Sequence, residues 1–335
     1  MDILTQGIIG AALAQACAKP QHSRTAALVG FGAGLLPDAD ALIHSTSDPL
    51  LQLEYHRHFS HSLAFIPFGA ALAALLLWPL LRRYMPLGAL YRYALLGYAT
   101  GGLLDACTSY GTHLFWPFSQ QPVAWSVIAI VDPVFTLALL IPLLIGIRQS
   151  RPLRQGLVLA FAYVLFGFVQ HHRAEIVAYE IAAERGHAPE RLLVKPTIAN
   201  LVLWRALYTV DDSVWVDAIR LDDRQRVYPG AATKLFDPSS DLPWAPTNSR
   251  ADNDARRFTA FAQGLAIRHP TRPNFIGDIR YAMLPNSIAP LWGIELQPSA
   301  PGQPARYLTN RSLAPAVRDQ FLTMLLGRDL KNEKQ

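Results

Sequence analysis

The first 172 residues sort their charges by side. Read as a series of apolar segments, one set of connections carries Lys19, Arg24, Arg82, Arg83, Arg92, Arg148, Arg151 and Arg154, and no acid. The other set, with the segment ends that face it, carries Asp2, Asp38, Asp40, Asp48, Glu54, Asp105 and Asp132, with Arg57 as its one base. His44, His56, His58, His61 and His113 fall on that second side too. Charge that changes side at each connection restricts the chain to helices running back and forth across a boundary. Short Lys/Arg-rich loops stay cytoplasmic, so the boundary that fits is a bilayer. A plain anchor needs the basic side only. Carboxylates and imidazoles gathered on the opposite side ask for a chemical explanation.

The apolar segments support this reading. Residues 1–172 hold 16 of the 55 charged residues in the 335-residue chain. Ser62–Leu81 is a run of twenty residues, enough at about 1.5 Å per residue to cross a hydrocarbon core of about 30 Å. Trp125–Ile147 is a second run, with Asp132 near its start, and Gly156–Val169 is a third, shorter one. Tyr93–Tyr110 is apolar apart from Asp105 and a Thr/Gly/Gly patch, while Ile3–Ala18 and Ala26–Leu36 are apolar but short for a full crossing. The pattern predicts a mainly α protein. A polytopic transmembrane bundle of about six helices fills residues 1–172, and a small α+β extramembrane domain follows over 173–335. Connections 44–61 and 111–125, and everything after 172, then face the periplasm of a bacterial inner membrane.

Beyond residue 172 the texture becomes polar. His172–Arg185 reads as an amphipathic helix leaving the membrane, and Leu203–Leu221 as a β-hairpin around Asp211–Asp212. Residues 229–255, rich in Pro, Ser, Asp and Asn, read as loop. Phe275–Leu284 and Leu291–Leu296 read as short strands, and Leu313–Leu326 as a closing helix.

Several function classes lose support at this stage. The pI near 9.3 is not accompanied by a basic run or an aromatic-basic motif, so nucleic acid is not an expected partner. Cys17 and Cys107 both sit in apolar segments and form no CxxC pattern, which argues against a disulfide framework or a zinc ribbon. Asp2 stands where a cleavable leader carries positive charge, so the first segment reads as a retained helix. No G-x-S-x-G motif is present, so a serine hydrolase is not indicated.

The densest chemistry is Tyr55-His56-Arg57-His58-Phe59-Ser60-His61-Ser62. His58 and His61 share a face if a helix begins here, and imidazole serves both as metal ligand and as general base. The bland alternative is a polar helix entry capped by Ser60. Asp38 and Asp40, in Leu36-Pro37-Asp38-Ala39-Asp40, diverge by about 200° on a regular helix. A turn after Pro37 relaxes that limit, and carboxylates beside histidines suit zinc or manganese. A turn with Asp40 as a helix cap is the plainer reading of the same residues. Asp105 lies inside an apolar helix, where a carboxylate is costly and needs a partner; Thr108 and Ser109, one turn away, are candidates. Asp132-Pro133 has the form of an ordinary helix start.

These motifs, in this order, resemble the YdjM-like (LexA-regulated-type) inner-membrane family. The likeness is carried by MDILTQGIIGAALAQA, GLLPDAD, YHRHFSHSL, GGLLDACTSYGTHLFWPFS and IVDPVFT, and covers roughly residues 1–170. The polar half resembles the C-terminal extension of the family's long form. A more distant similarity runs to zinc-dependent phospholipase C and S1/P1-type nucleases. The resemblance implies a metal-dependent hydrolase with Asp38, Asp40, His56 and His61 on the metal, and Asp105 completing the ligand set or orienting a water. Arg57 and His58 join Asp105 as catalytic candidates, Arg57 neutralising a phosphate. Two positions depart from the family's pattern: Gln6 and Gly101 stand where histidines are usual. His58, with His44 or His113, is a candidate to restore the ligand count.

The leading expectation is therefore a membrane-bound hydrolase acting at the periplasmic face on a phosphoester or lipid-linked substrate. Its cofactor is a divalent metal, zinc ahead of manganese. Two other classes stay open. One is a proton- or cation-coupled transporter using Asp105, Asp132 and the histidines. The other is a membrane scaffold that presents residues 173–335 and holds a structural metal.

Overall fold

The computed structural model describes residues 1–146, 150–311 and 314–330. Its helices follow in the order α1 (Ile3–Ala16), α2 (Ser23–Leu35), the short α3 (Leu51–Tyr55), α4 (Ile66–Leu81), α5 (Leu87–Ala106), α6 (Pro133–Ile145) and α7 (Ser150–Glu184). The described chain divides into two compact units. The first holds Met1–Ile43, Tyr55–Val169 and Ile198–Leu201; the second holds His44–Glu54, Gln170–Thr197 and the rest of the chain from Val202.

The first unit is helical. Two helical stretches, Leu63–Leu81 and Arg151–Glu184, are long and apolar enough to cross a membrane, and only 22% of the apolar stretch in each is buried. A core helix of a soluble protein would bury most of such a stretch. Here Leu72, Leu75, Leu76 and Leu80 of α4 and Val158, Leu159, Phe161 and Phe166 of α7 point outward instead. So wide an exposed apolar surface is a contact surface, not a solvated one. The other long helices fall short in length or hydropathy. α1 and α6, with 14 and 13 residues, reach only about 20 Å at 1.5 Å per residue.

One sequence expectation holds here and one changes. Within the apolar run Trp125–Ile147 the helix starts at Asp132-Pro133, as its sequence suggests: Asp132 caps α6 by accepting from the Phe135 N–H, and Pro133 occupies the first turn. The run Gly156–Val169 is not a separate short helix, because it continues without a break past His172 to Glu184 as the 35-residue α7. No glycine or proline after Gly167 interrupts it before Gly186. Ile147 and Arg148 lie outside the described residues.

Small side chains set the packing. Ala14, Ala26, Ala33, Ala70, Ala73, Ala74, Ala89 and Ala94 dominate one buried cluster. At its centre, a Cβ on Gly30 would stand 2.3 Å from the Gly10 carbonyl oxygen, and one on Gly97 would stand 2.4 Å from that of Gly30. Helices α1, α2 and α5 therefore meet backbone to backbone, the close approach that small residues permit within membranes.

The second unit contains two antiparallel four-stranded sheets. The first orders β1 (Arg191–Pro196), β2 (Leu203–Val210), β3 (Ser213–Leu221) and β4 (Gln225–Lys234) as a meander; the second orders β5 (Ala266–His269), β6 (Arg272–Asp278), β7 (Trp292–Glu295) and β8 (Arg306–Thr309) likewise. The expected hairpin is present, with Val210 paired to Ser213 around Asp211 and Asp212. Asp211 takes φ 53°, a left-handed conformation that Asp tolerates better than most residues. Residues 229–255 are not loop throughout. They hold the end of β4, the single turn α8 (Pro238–Asp241) and the start of α9 (Arg250–Phe261). Ala251, Ala255, Phe258 and Ala262, spaced three or four apart, join Ile276 and Ile294 of the second sheet in one core. At the end of α7, Arg185 makes a bidentate pair with Asp217 of β3 at 2.6 and 2.8 Å. The closing helix α10 is Pro315–Leu325; Leu313, its expected first residue, lies outside the described residues.

Candidate metal centre

The site is assembled from three short stretches of the first unit. Leu36–Leu42, after α2, winds as a 3₁₀ helix and carries Asp38 and Asp40. At about 120° per residue, positions two apart lie about 120° from each other, against about 160° on an α-helix. The tighter winding lets both aspartates reach one neighbourhood. A second 3₁₀ turn, Phe59–His61, carries His61, and the end of α5 carries Asp105.

His61 is the hub, 2% exposed. Its Nε2 lies 3.2 Å from Asp38 Oδ1 and 3.1 Å from Asp105 Oδ2, while its Nδ1 lies 3.1 Å from Asp40 Oδ2. Asp40 Oδ1 in turn meets His56 Nδ1 at 2.8 Å. Two sets of three ligand atoms result, one from Asp38, His61 and Asp105 and one from Asp38, Asp40 and His56. Within each set all ligand atoms lie within 4.8 Å of one another. Asp38 belongs to both. Three carboxylates and two imidazoles form a donor set that suits zinc or manganese.

The surroundings hold these carboxylates in place. Asp40 Oδ2 accepts from the Arg57 backbone N–H at 2.8 Å and from Ser60 Oγ at 2.7 Å. Tyr98 donates to the Ser60 carbonyl at 2.8 Å. Asp105 is ringed by positive and polar groups: the α-amine of Met1 and Gln6 Nε2 at 3.0 Å donate to it, and the Arg57 guanidinium pairs with it by charge, Nε at 3.2 Å. Helix α5 reaches this point through a glycine, since a Cβ on Gly102 would stand 2.0 Å from the His61 carbonyl oxygen. Gly101 and Gln6, the two departures from the family's pattern, are neighbours here. A Cβ on Gly101 would stand 3.5 Å from Gln6 Oε1, a buried atom with no hydrogen-bond partner among the described residues.

Electrostatics follow from this arrangement. Burial alone would lower the pKa of His61, but hydrogen bonds to Asp105, Asp38 and Asp40 outweigh it and raise the imidazole to about 10. Burial alone would raise Asp40, but hydrogen bonds from His56 and His61 hold it well below the usual carboxylate range. Imidazole nitrogens this close to several carboxylates need either a proton or a metal cation between them.

The structure separates the sequence candidates. Asp38, Asp40, His56, His61 and Asp105 come together. Arg57, with φ 60°, turns inward and is 4% exposed. Its guanidinium is engaged by Asp105, by Thr108 Oγ1 at 3.0 Å and by the Tyr110 ring at 5.0 Å. His58 is not on a helical face with His61, because the 3₁₀ turn begins only at Phe59 and His58 precedes it with a non-helical ψ of −123°. Its ring packs on His113 at 4.6 Å and on Trp116 at 5.8 Å. Burial lowers both pKa values, and the neighbouring His58 helps to push His113 down to about 4. Thr108 bonds the Asp105 backbone carbonyl at 2.8 Å rather than its carboxylate. Asp132 stays apart as the α6 cap, with the Tyr163 hydroxyl at 3.0 Å. His44 lies in the second unit.

Ser60 was readable only as a cap. The cap is Ser62, which accepts from the Phe65 N–H, and Ser60 braces Asp40 instead. Gln6, which departs from the family's pattern, binds Asp105. Hydrogen bonds across 99 positions leave no local spacing to read.

A family model described as "YdjM inner membrane protein" matches residues 1–174, which include every residue of this cluster. No curated protein and no solved structure shows a significant match. The chain belongs to the YdjM inner membrane protein family, and its 335 residues carry a C-terminal extension beyond the family's region.

Proposed function

We infer that this protein is a multi-pass inner-membrane hydrolase that uses a divalent metal at the periplasmic face, on a phosphoester or lipid-linked substrate. The observation that carries this reading is the pair of three-residue ligand sets sharing Asp38, built at the ends of apolar helices. Asp38, His61 and Asp105 would hold one ion, and Asp38, Asp40 and His56 would offer a place for a second. Zinc is the first choice because two imidazoles sit among the carboxylates. Loop charge supports the orientation. In the sequence, Lys and Arg concentrate in the connections 19–25, 82–92 and 148–155, which this reading keeps cytoplasmic; α1, α2 and α4 to α7 then cross, and the ligand segments and residues 173–335 face the periplasm.

A divalent ion, when bound, supplies Lewis-acid polarisation of the scissile bond and acidifies a water toward neutrality. The protein's own groups do the rest. Asp40, fixed by Ser60 and the Arg57 backbone, engages His61 Nδ1 and so aims Nε2 at Asp38 and Asp105; this is the carboxylate–histidine arrangement that tunes metal ligands. Arg57 balances Asp105 from a buried position. His58 and His113 pack ring to ring beside the histidine turn, and burial lowers both their pKa values.

The test is turnover of bis(4-nitrophenyl) phosphate and of a phospholipid substrate by detergent-purified protein, with and without EDTA. EDTA-sensitive hydrolysis that falls at least about 100-fold in Asp38→Asn is expected, as removal of an ion that generates the nucleophile demands. A metal-loaded protein that hydrolyses no phosphoester of either kind would instead favour the scaffold with a structural metal.

A further inference from the structure

One piece of the apolar half folds with the polar half. Residues 44–54 join the Asp38/Asp40 turn to the histidine segment, yet they belong to the second unit. Leu50, 1% exposed, is part of the core formed by Phe236, Leu242, Ala251, Ala255 and Phe258, and Leu53 packs against it. The acids of this loop are gripped by α9. Arg257 Nε and Nη2 reach the two Glu54 oxygens at 2.7 and 2.8 Å, while Nη1 and Nη2 reach the two Asp48 oxygens at 3.0 Å each. Arg250 adds a bond to Asp48 at 3.1 Å and pairs with Asp254 at 2.9 Å.

The position of this loop in the chain gives it a role. Asp40 lies four residues before it and His56 two residues after it, so the connection between the two ligand-bearing segments has its fold supplied by residues 236–305. We propose that the C-terminal extension sets the geometry of the metal centre through this loop, with Arg257 as the positioning residue. A free connection of this length lets its two ends wander. A buried leucine and a guanidinium forked across two carboxylates hold it in one shape, and such bidentate pairs are both strong and directional. Ligands whose supporting chain is fixed beforehand bind metal without an ordering cost. This inference rests on the metal reading above only for its effect on affinity; its effect on the loop stands by itself.

The experiment uses the full chain in detergent and compares wild type, Arg257→Gln, Arg257→Lys and the control Arg318→Gln, whose pair with Asp319 is exposed. Two quantities are read: amide hydrogen exchange over residues 36–62 and Zn²⁺ affinity by titration. The expected result for Arg257→Gln is unchanged helix content, faster exchange over 44–62 and Zn²⁺ binding weakened about 10- to 100-fold, the range for residues that support metal ligands. Arg257→Lys recovers part of both, and Arg318→Gln changes neither. Should Arg257→Gln not fold, Glu54→Gln removes half of the clamp and carries the same expectation. Unchanged exchange and unchanged affinity in a folded variant would overturn the proposal. Faster exchange in a protein whose wild type binds no Zn²⁺ would support the tether while sinking the metal reading.

Discussion

His61 faces three carboxylates with two nitrogens, and only a proton or a metal ion lets those atoms lie so close. In the metal-free protein the proton has that role. Against burial, which lowers its pKa, the hydrogen bonds to Asp105, Asp38 and Asp40 raise it to about 10, above the unfolded value of about 6.5. A raised folded pKa contributes stability that is complete below the unfolded value and is lost as pH rises through the folded one. EDTA-treated protein is therefore expected to lose thermal stability between about pH 7 and pH 10, and His61→Gln to lose less over that range. Parallel slopes for the two proteins in a pH series of melting temperatures would contradict the pairing. At this scale the sequence was informative about residue types and poor about direction. Three histidines in six residues mark the place, but His58 stands before the 3₁₀ turn with ψ −123° and packs on His113 and Trp116, while His61 meets the carboxylates.

Helix α5 carries Asp105 to the site by way of Gly102, whose hydrogen faces the His61 carbonyl where a Cβ would stand at 2.0 Å. That oxygen belongs to backbone, so it yields only if the histidine turn moves. Gly102→Ala is expected to weaken metal binding, and to destabilise the protein by about 1–3 kcal/mol as overpacking commonly does. Gly88→Ala is the control, because nothing lies within 4 Å of that position. Equal metal affinity in both variants, read by titration, would show that the close approach of α5 does not position His61. The elements themselves were legible where apolar runs end in strong signals, as at Asp132-Pro133, once the cap is weighed above hydropathy. The length of α7 was not. A change from apolar to polar composition suggested a boundary near residue 172, yet a helix has no reason to stop where only its surroundings change.

Across the whole molecule, charge sorting predicts which side each connection faces, and the exposed leucines of α4 and the exposed apolar face of α7 agree with lipid as the surrounding medium. A periplasm-dependent reporter such as alkaline phosphatase, fused after residue 330, is expected to be active, and a reporter active only in the cytoplasm silent; the reverse would invert the topology. The two-part composition was plain from the sequence. The membership of 44–54 in the second unit was not, because Leu50, Asp48 and Glu54 find partners some 200 positions away and nothing in an eleven-residue loop announces them. If Asp38, His61 and Asp105, with Asp40 and His56, hold a divalent ion, elemental mass spectrometry of detergent-purified protein will count it. About one or two zinc or manganese ions per chain in the wild type, lost in a still-folded Asp38→Asn/His61→Gln protein, is the expected result. No metal in the wild type, even after reconstitution with either ion, would contradict it.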